Sequence, residues 1–346
     1  MLAMADYARR MALSRLAGSK TLEETADDVT ILCPPEERET PPAVALPGQL
    51  DKVIGVHPES TLELQMKRIS SGLHRHDATR AFHFRKAALI GGSLFAGSFR
   101  YRIASPKKEM FALEPRAIDR GGVVNSVVGM TYFGHWLQDD ALTYELACKI
   151  GAPVAMKPPV WEETRNVYAR AFEQDWTPCG PIYAKELIVY ADYAQNSLKL
   201  ERYRLLRGRL RKIYGDENHE KRVFLRRGRT GVIRVFENED AIAERLAARG
   251  FLVADVENDD IETLLRILCG AKLVVSVEGS HMSHCAYSLA DGGGVVSLQP
   301  PTRFDNIQKG WIDTLGCHYG FVVCDAGAEG FRVDPDDLDR TIDLMP

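Results

Sequence analysis

The chain has 346 residues, of which 45% are hydrophobic and 27% are charged, and its formal net charge at pH 7 is -4. Single hydrophobic cores stop growing at about 250–300 residues, so this length predicts two domains. A net negative charge provides no extended basic field for a polyanion, which excludes nucleic acid as an expected partner.

The cysteines and the N-terminal residues indicate the cellular compartment. Seven cysteines are spread along the chain without the close pairs of zinc ribbons or redox motifs, so we expect reduced thiols in a cytoplasmic protein. No apolar run reaches the roughly 18 residues of a membrane span. Residues 1–20 mix basic and apolar residues at helical spacing. They are either an ordinary terminal helix packed on the fold or a basic helix in peripheral contact with the cytoplasmic face of a membrane.

The N-terminal half has elements of both kinds. In chain order we predict a strand and turn over 28–37, paired strands around a Gly-Gly bend within 81–97, helices over 132–151 and 165–176, a strand over 185–193, and a long basic helix over 196–215. The polar stretch GDENHEK follows, without apolar periodicity. We therefore predict an N-terminal domain over 1–214 and a linker over 215–221.

The predicted helix over 132–151 carries a histidine and an acid on one face. His135 and Asp139 stand four residues apart, and the helix is apolar most of the way round, which predicts that it is largely buried. A buried imidazole and carboxylate need partners, and such pairs are common where a general base is tuned toward neutral pH. The alternative is a hydrogen-bonded pair that only fixes the helix.

From residue 222 onward, short apolar strands alternate strictly with helices. We predict strands over 222–227, 251–256, 272–277, 294–298 and 320–325, and helices over 238–250, 259–271, 280–291 and 304–316. Strands that are apolar throughout are typical of a parallel sheet covered on both faces. We predict a Rossmann-like domain over 222–333 and a last helix over 334–346.

Ligands of such sheets bind at the carboxyl ends of the strands, where polar segments occur here at 226–229, 257–259 and 278–284. The basic residues near the first of these segments are Arg226, Arg227, Arg229 and Arg234. Guanidinium groups bind phosphate through paired, charge-assisted hydrogen bonds, so this cluster suits a diphosphate. A solvated turn is the alternative, and Asn238 and Glu239 are expected to cap the next helix.

The segment after the third strand places Glu278, Gly279, Ser280, His281 and His284 where a helix begins. Free backbone N–H groups and the helix dipole favour an anion there. Glu278 and the two histidines are also conceivable metal ligands, although their spacing is not a known zinc signature. The chain lacks GxGxxG and Walker A sequences, and the Asp-x-Asp in DPDD opens the last helix.

In order and spacing, these features resemble glycosyltransferase family 61, which includes bacterial capsular polysaccharide enzymes, plant xylan-decorating transferases and animal O-linked sugar transferases. The resemblance covers roughly residues 120–305. It is carried by His135 and Asp139 in GHWLQDD, by Arg227, Arg234, Asn238 and Glu239 in FLRRGRTGVIRVFENE, by Gly250 and Phe251, and by the apolar strand that enters the glycine corner in GAKLVVSVEGSHMSH. Many relatives have His-Gly-Ala at that corner, whereas this chain has Glu278, Gly279 and Ser280.

The resemblance implies an α/β fold of the GT-B type, with two Rossmann-like domains facing a central cleft and a final helix that crosses back to the N-terminal domain. It implies an inverting hexosyl- or pentosyltransferase without metal or other cofactor. The expected partners are a nucleotide-sugar donor and a glycan or lipid-linked glycan acceptor, in bacterial polysaccharide or capsule biosynthesis. The expected donor-binding residues are Arg226, Arg227, Arg234, Asn238, Glu278, Gly279, Ser280, His281 and His284.

Inversion requires a base for the acceptor hydroxyl and a cationic or dipolar site for the leaving diphosphate. We assign the base to Asp139, with His135 as its partner or substitute. The diphosphate is assigned to Arg227, Arg234 and the N–H groups of Gly279 and Ser280. Ser280 is also expected to cap the helix that begins there, and Glu278 is expected to orient hydroxyl groups of the donor.

Two other functions stay open from the sequence. One is a metal-dependent hydrolase that uses Glu278, His281 and His284. The other is a carbohydrate-binding protein that has the fold without turnover.

Overall fold

A computed structural model describes residues 2–156, 161–215, 218–228 and 234–346. The chain divides into two compact units. The first unit comprises Met1–Glu36 and His76–Arg202, and the second unit comprises Glu37–Arg75 and Tyr203–Pro346. The second unit therefore includes residues that were predicted to lie in the N-terminal domain. Of the predicted linker over 215–221, residues 216 and 217 lie outside the described residues.

The strands are β1 Asp28–Cys33, β2 Glu36–Thr40, β3 Gly72–His76, β4 Thr79–Ile90, β5 Ser93–Ala96, β6 Phe99–Arg102, β7 Arg116–Val123, β8 Ala152–Val154, β9 Ile182–Ala191, β10 Arg222–Arg226, β11 Leu252–Asp255, β12 Ala271–Val277, β13 Leu289–Gln299, β14 His318–Val323, β15 Asp325–Ala326 and β16 Phe331–Arg332. The α-helices are α1 Leu2–Ala17, α2 Leu22–Thr25, α3 Leu62–Ile69, α4 Glu109–Ala112, α5 Phe133–His135, α6 Ala141–Ile150, α7 Glu162–Ala171, α8 Ser197–Tyr214, α9 Glu239–Ala248, α10 Ile261–Leu268, α11 Cys285–Ser288, α12 Ile307–Thr314 and α13 Pro335–Asp343. Short 3-10 helices cover Gln49–Lys52 and Ser280–His284, and a π-helical turn covers Trp136–Asp140.

The first unit is built on a seven-stranded mixed sheet in the order β6-β5-β4-β9-β7-β8, with β1 also paired to β4. Strand β4 is antiparallel to β1, β5 and β9, whereas β7 is parallel to β8 and β9. Gly91 and Gly92 both have positive φ and form the predicted bend between β4 and β5. A two-residue turn joins antiparallel strands, so the sheet of this unit is mixed, and the Rossmann-like domain that the resemblance implies for this half is not confirmed.

The predicted helix over 132–151 is present as three consecutive helical pieces: α5, the π-helical turn and α6. The π-helical turn is buried over its whole length, as the apolar character of the segment predicts. Such turns are rare inside helices and occur frequently at functional sites. None of the described helices is long and apolar enough to cross a membrane.

The second unit contains a five-stranded parallel sheet in the order β11-β10-β12-β13-β14. Helices α9, α10, α11 and α12 connect successive strands, which confirms the α/β alternation predicted for this half. Strand β10 lies between the second and third strands of the series, so the strand order reverses between β10 and β12. This reversal is the switch point at which open α/β sheets bind ligands beyond the carboxyl ends of their strands.

Two further segments complete the second unit. Val44 donates its N–H to the carbonyl of Tyr319 and accepts from the N–H of Phe321, both at 2.9 Å, so residues before α3 pair with β14. Helix α13 packs Leu338 and Ile342 into the core that contains Val322. The last helix therefore belongs to the second unit, and its crossing back to the N-terminal domain stays a prediction. The arrangement of two domains across a cleft stays a prediction.

Candidate functional site

Arginine side chains converge on one buried acid at the switch point of the second unit. The carbonyl of Glu278 accepts hydrogen bonds from Arg227 Nη1 at 3.2 Å and from Arg234 Nη1 at 2.5 Å. The Glu278 carboxylate pairs with Arg234 Nη2 at 2.9 Å, and Arg303 Nε lies 3.8 Å from the same oxygen. Arg227 follows β10 directly and Glu278 follows β12, so the fold itself brings them together.

The charges of this cluster, formed by Arg227, Arg234, Arg303 and Glu278, do not cancel. Three guanidinium groups face one carboxylate, and the nearby Asp305 is paired with Arg68 at 3.0 Å. Burial lowers the pKa of Arg227 to about 10, and repulsion from Arg234 acts in the same direction. Burial also raises the pKa of Glu278, although Arg234 opposes that shift. An excess of positive charge in a buried site favours an anionic ligand.

Gly279 allows the arginines to approach the backbone. It has a φ of 158°, and a Cβ atom there would collide with Arg227 Nη1 and lie 2.8 Å from Arg234 Nη1. Ser280 does not have the predicted capping role. Gly279 occupies the N-cap position, no side chain caps this turn, and Ser280 is exposed. A residue with a side chain at 279 would displace the two guanidinium groups, so the glycine is a condition for the cluster.

Other predicted donor-site residues have partners that lie elsewhere. Arg226 pairs with Asp240 at 2.5 Å and with Glu239 at 3.5 Å, so it is turned toward α9. Asn238 occupies the N-cap position of α9, but its side chain does not cap the helix. Its amide instead bonds the carbonyl and N–H groups of Val333, at 2.9 and 3.2 Å. Arg229 lies outside the described residues.

The two histidines of the corner are buried and neutral. The Nε2 atom of His281 lies 2.8 Å from Ser276 Oγ, which fixes the ring. Burial lowers the pKa of His281 well below its ordinary value and lowers the pKa of His284 to about 3. Within the described ranges, no group of three His, Cys, Asp or Glu side chains is placed to hold a metal ion. The site that the hydrolase alternative requires is thus not found in this part of the chain.

These histidines should make the fold sensitive to acid. In the unfolded chain each takes up a proton near pH 6.5, whereas the folded state resists protonation. Their stabilising contribution is complete above that pH and is lost as the pH falls toward the folded-state pKa. For His284 the free energy of unfolding should decrease by about 2 kcal/mol between pH 7 and pH 5, measured by urea denaturation. The His284→Asn variant should show a correspondingly smaller decrease, and an equal decrease would contradict this assignment.

Arg303 and Gln308 belong to the candidate site but were missed in the sequence. Both follow β13, the fourth strand, and Gln308 Nε2 lies 3.5 Å from Glu278 Oε1 and from the carbonyl of Gly279. The sequence contains a signal for both residues, because the segment that follows the fourth parallel strand lies at the same edge of the sheet as the segments that follow the first three.

The first unit holds the predicted pair His135 and Asp139. His135 Nδ1 lies 2.7 Å from Asp139 Oδ2, and Lys199 Nζ lies 2.5 Å from Asp139 Oδ1. Burial alone would raise the pKa of Asp139, but the Lys199 ammonium and His135 outweigh it and lower that pKa. Asp139 is only 4% exposed, whereas the His135 side chain is 25% exposed. The carboxylate is therefore held ionised beneath a more accessible imidazole.

Further buried polar groups support this pair. Lys199 also donates to the carbonyl of Asp192 at 2.8 Å, and Arg202 binds the Asp192 carboxylate through two bonds of 2.5 and 2.9 Å. Asp140 accepts from the N–H of Ser126 at 3.0 Å, and burial raises its pKa well above the ordinary value. The pKa values of these adjacent acids are thus shifted in opposite directions, because the Lys199 ammonium lies beside Asp139 whereas burial dominates at Asp140.

Comparison with known protein families gives one match, which covers the middle of the chain. Residues 133–302 match the family model described as Glycosyltransferase 61. This region of the chain is similar to that family. A search of curated proteins finds no match to the chain.

The matched region begins two residues before His135 and ends immediately before Arg303. It therefore spans the His135–Asp139 pair in the first unit and the acid of the arginine cluster in the second. The match supports the family predicted from the sequence and indicates a glycosyltransferase, which implies in general a sugar donor and a glycan acceptor. The bacterial capsular subtype stays a prediction.

Proposed function

We propose that the protein is an inverting, metal-independent glycosyltransferase that moves a hexosyl or pentosyl group from a nucleotide-sugar to a hydroxyl group of a glycan or lipid-linked glycan. The observation that carries the proposal is the convergence of Arg227, Arg234 and Arg303 on Glu278 at the switch point of a parallel sheet. The cluster has two more positive than negative charges, and a diphosphate supplies the missing negative charge.

On the donor side, Arg227 and Arg234 bind the diphosphate, and Gly279 leaves room for their guanidinium groups beside the backbone. Positive groups placed where negative charge develops on the leaving group lower the activation barrier. In this scheme the guanidinium groups stabilise the leaving group without a metal ion. Glu278 has a structural role in this scheme, because it holds the guanidinium groups in position.

On the acceptor side, His135 is the base and Asp139 is its positioning residue. Both oxygens of Asp139 are engaged, by His135 and by Lys199, and its lowered pKa makes it a weak proton acceptor. A carboxylate bonded to Nδ1 fixes the imidazole tautomer and stabilises the imidazolium that forms when the ring accepts a proton. This proposal reverses the two roles assigned from the sequence.

The proposed biological setting is polysaccharide biosynthesis, including capsule formation, in the cytoplasm. Contact of residues 1–20 with the membrane surface would bring the enzyme to a lipid-linked acceptor. Exposed apolar side chains on α1, among them Leu2 and Leu16, are compatible with that contact.

The proposal is tested with ligands and with one arginine. UDP-, GDP-, CMP- and dTDP-sugars are screened by thermal shift in the presence of EDTA, since a ligand that binds the native state raises its apparent stability. For the ligand selected, Arg227→Ala should weaken binding by about 10- to 100-fold, the effect of losing a charge-assisted hydrogen bond. The matched control is Arg332→Ala, at a side chain that is 60% exposed. Unchanged affinity in Arg227→Ala would rule out the diphosphate assignment.

A further inference from the structure

Gln308 places an unpaired amide oxygen next to the arginine cluster. The residue is only 3% exposed, and among the described residues its Oε1 atom has no hydrogen-bond partner. Its Nε2 atom faces two acceptors, Glu278 Oε1 and the carbonyl of Gly279, each at 3.5 Å. Turning the amide over would place oxygen against oxygen, so these neighbours fix which end is Oε1. The buried acceptor therefore lacks a donor from the described part of the chain.

Two arginine N–H groups near Gln308 are also buried without a hydrogen-bond partner among the described residues. These groups are Arg234 Nε and Arg303 Nε. Arg303 Nε lies 3.8 Å from the Glu278 carboxylate, too far for a hydrogen bond. Buried polar atoms are almost always paired, so three such atoms around one acid indicate a ligand that supplies the partners. That ligand needs anionic oxygens for the two N–H groups and one O–H or N–H group for Gln308.

The start of α12 is held in place independently of any ligand. Gln65 accepts from the N–H of Asn306 at 2.7 Å and donates to Asp305 Oδ1 at 3.1 Å. Asp305 in turn donates its N–H to Gln299 Oε1 at 3.0 Å. Because these residues are all buried, the position of Gln308 is set before a ligand binds, which is a condition for selective recognition.

We propose that Gln308 Oε1 accepts a hydrogen bond from a hydroxyl group of the donor that lies next to its diphosphate. Gln308 is thereby a specificity-determining residue that favours a diphosphate carrying a ribose or a sugar over a bare diphosphate. This inference rests on the proposed function, since it assumes that the arginines bind the diphosphate.

The test compares binding of three classes of probe by titration calorimetry. The probes are inorganic pyrophosphate, the nucleoside diphosphates UDP, GDP and dTDP, and their glucose conjugates. In Gln308→Met, which keeps the side-chain length, pyrophosphate affinity should stay within about twofold, whereas affinity for the best nucleotide ligand should fall by about tenfold. If the affinity of Gln308→Met falls already for the nucleoside diphosphate, the hydroxyl group that Gln308 binds is on the ribose. If the affinity falls only for the glucose conjugate, that hydroxyl group is on the sugar.

A second variant keeps the test decisive if Gln308→Met unfolds. Gln308→Glu retains an acceptor oxygen, so both affinities should fall but the preference for the nucleotide ligand over pyrophosphate should persist. An unchanged preference in a folded Gln308→Met protein, or a lost preference in Gln308→Glu, would overturn the inference. If the unmodified protein binds none of the probes, the proposed function itself fails, and the two failures are thus distinguishable.

Discussion

Replacement of His135 by glutamine should reduce the rate of sugar transfer by about 10²- to 10⁴-fold, the usual contribution of a general base. The reason is that the imidazole, held by Asp139 through Nδ1 at 2.7 Å, is the more exposed member of the pair. Glutamine retains polarity and similar size but cannot accept the proton from the acceptor hydroxyl. Initial rates of transfer at saturating donor measure the effect.

Two further variants complete this experiment. His219→Gln is the matched control, because it makes the same change at an exposed histidine and should leave the rate unchanged. Asp139→Asn should also reduce the rate, since the amide cannot stabilise the imidazolium. Donor affinity should change little in either site variant, because His135 and Asp139 are not part of the arginine cluster. A His135→Gln enzyme with more than a tenth of the original rate would show that the base is another group.

Replacement of Lys199 by methionine should lower the free energy of unfolding by about 3–5 kcal/mol at neutral pH, because removing one partner of a buried ion pair leaves the other charge uncompensated. Lys199 is fully buried and bonds both Asp139 Oδ1 and the carbonyl of Asp192. Methionine fills most of the same volume, so the loss reports on charge rather than on packing. Urea denaturation of the variant and of the unmodified protein measures it.

The pH dependence of the stability that Lys199→Met loses shows whether an uncompensated Asp139 charge causes the loss. In the unmodified protein Asp139 has a lowered pKa, so its stabilising contribution is complete above the unfolded-state pKa and is lost as pH falls through the folded-state value. Without Lys199, burial raises the pKa of Asp139, and acid should narrow the difference between variant and unmodified protein. The double variant Lys199→Met/Asp139→Asn should recover part of the stability. A loss below about 1 kcal/mol that is constant with pH would argue against a buried charge.

The strands of the second unit could be predicted because each contains a short continuous apolar run. The predicted strand over 222–227, for example, is observed as Arg222–Arg226. The predicted helix over 280–291 was too long, since β13 already begins at Leu289. The apolar run there has no periodicity that separates a buried helix from a buried strand. In the first unit the predicted hairpin at Gly91 and Gly92 is confirmed. The direction of β4 relative to β9 depends on tertiary pairing and could not be predicted from local sequence.

The candidate site was predictable where neighbours in space are also neighbours in sequence. Four-residue spacing was enough for His135 and Asp139, and adjacency to a strand end was enough for Arg227. Lys199 could not be identified from the sequence, because it lies on a basic helix whose residue pattern does not distinguish a buried lysine from an exposed one. The position of Gln308 depends on the hydrogen bond between Asn306 and Gln65. Gln65 lies far away in the sequence, so no local sequence pattern predicts that hydrogen bond.

The pairing of Val44 with Tyr319 has a consequence for biosynthesis. Residues 37–75 leave the ribosome early, whereas their partners in β14 and the loop before α12 are made near the end of translation. Contacts between residues so distant in the chain form slowly, since a large loop must close first. These early residues therefore lack their partners through most of elongation, and chaperone binding during that interval would protect the incomplete chain from aggregation.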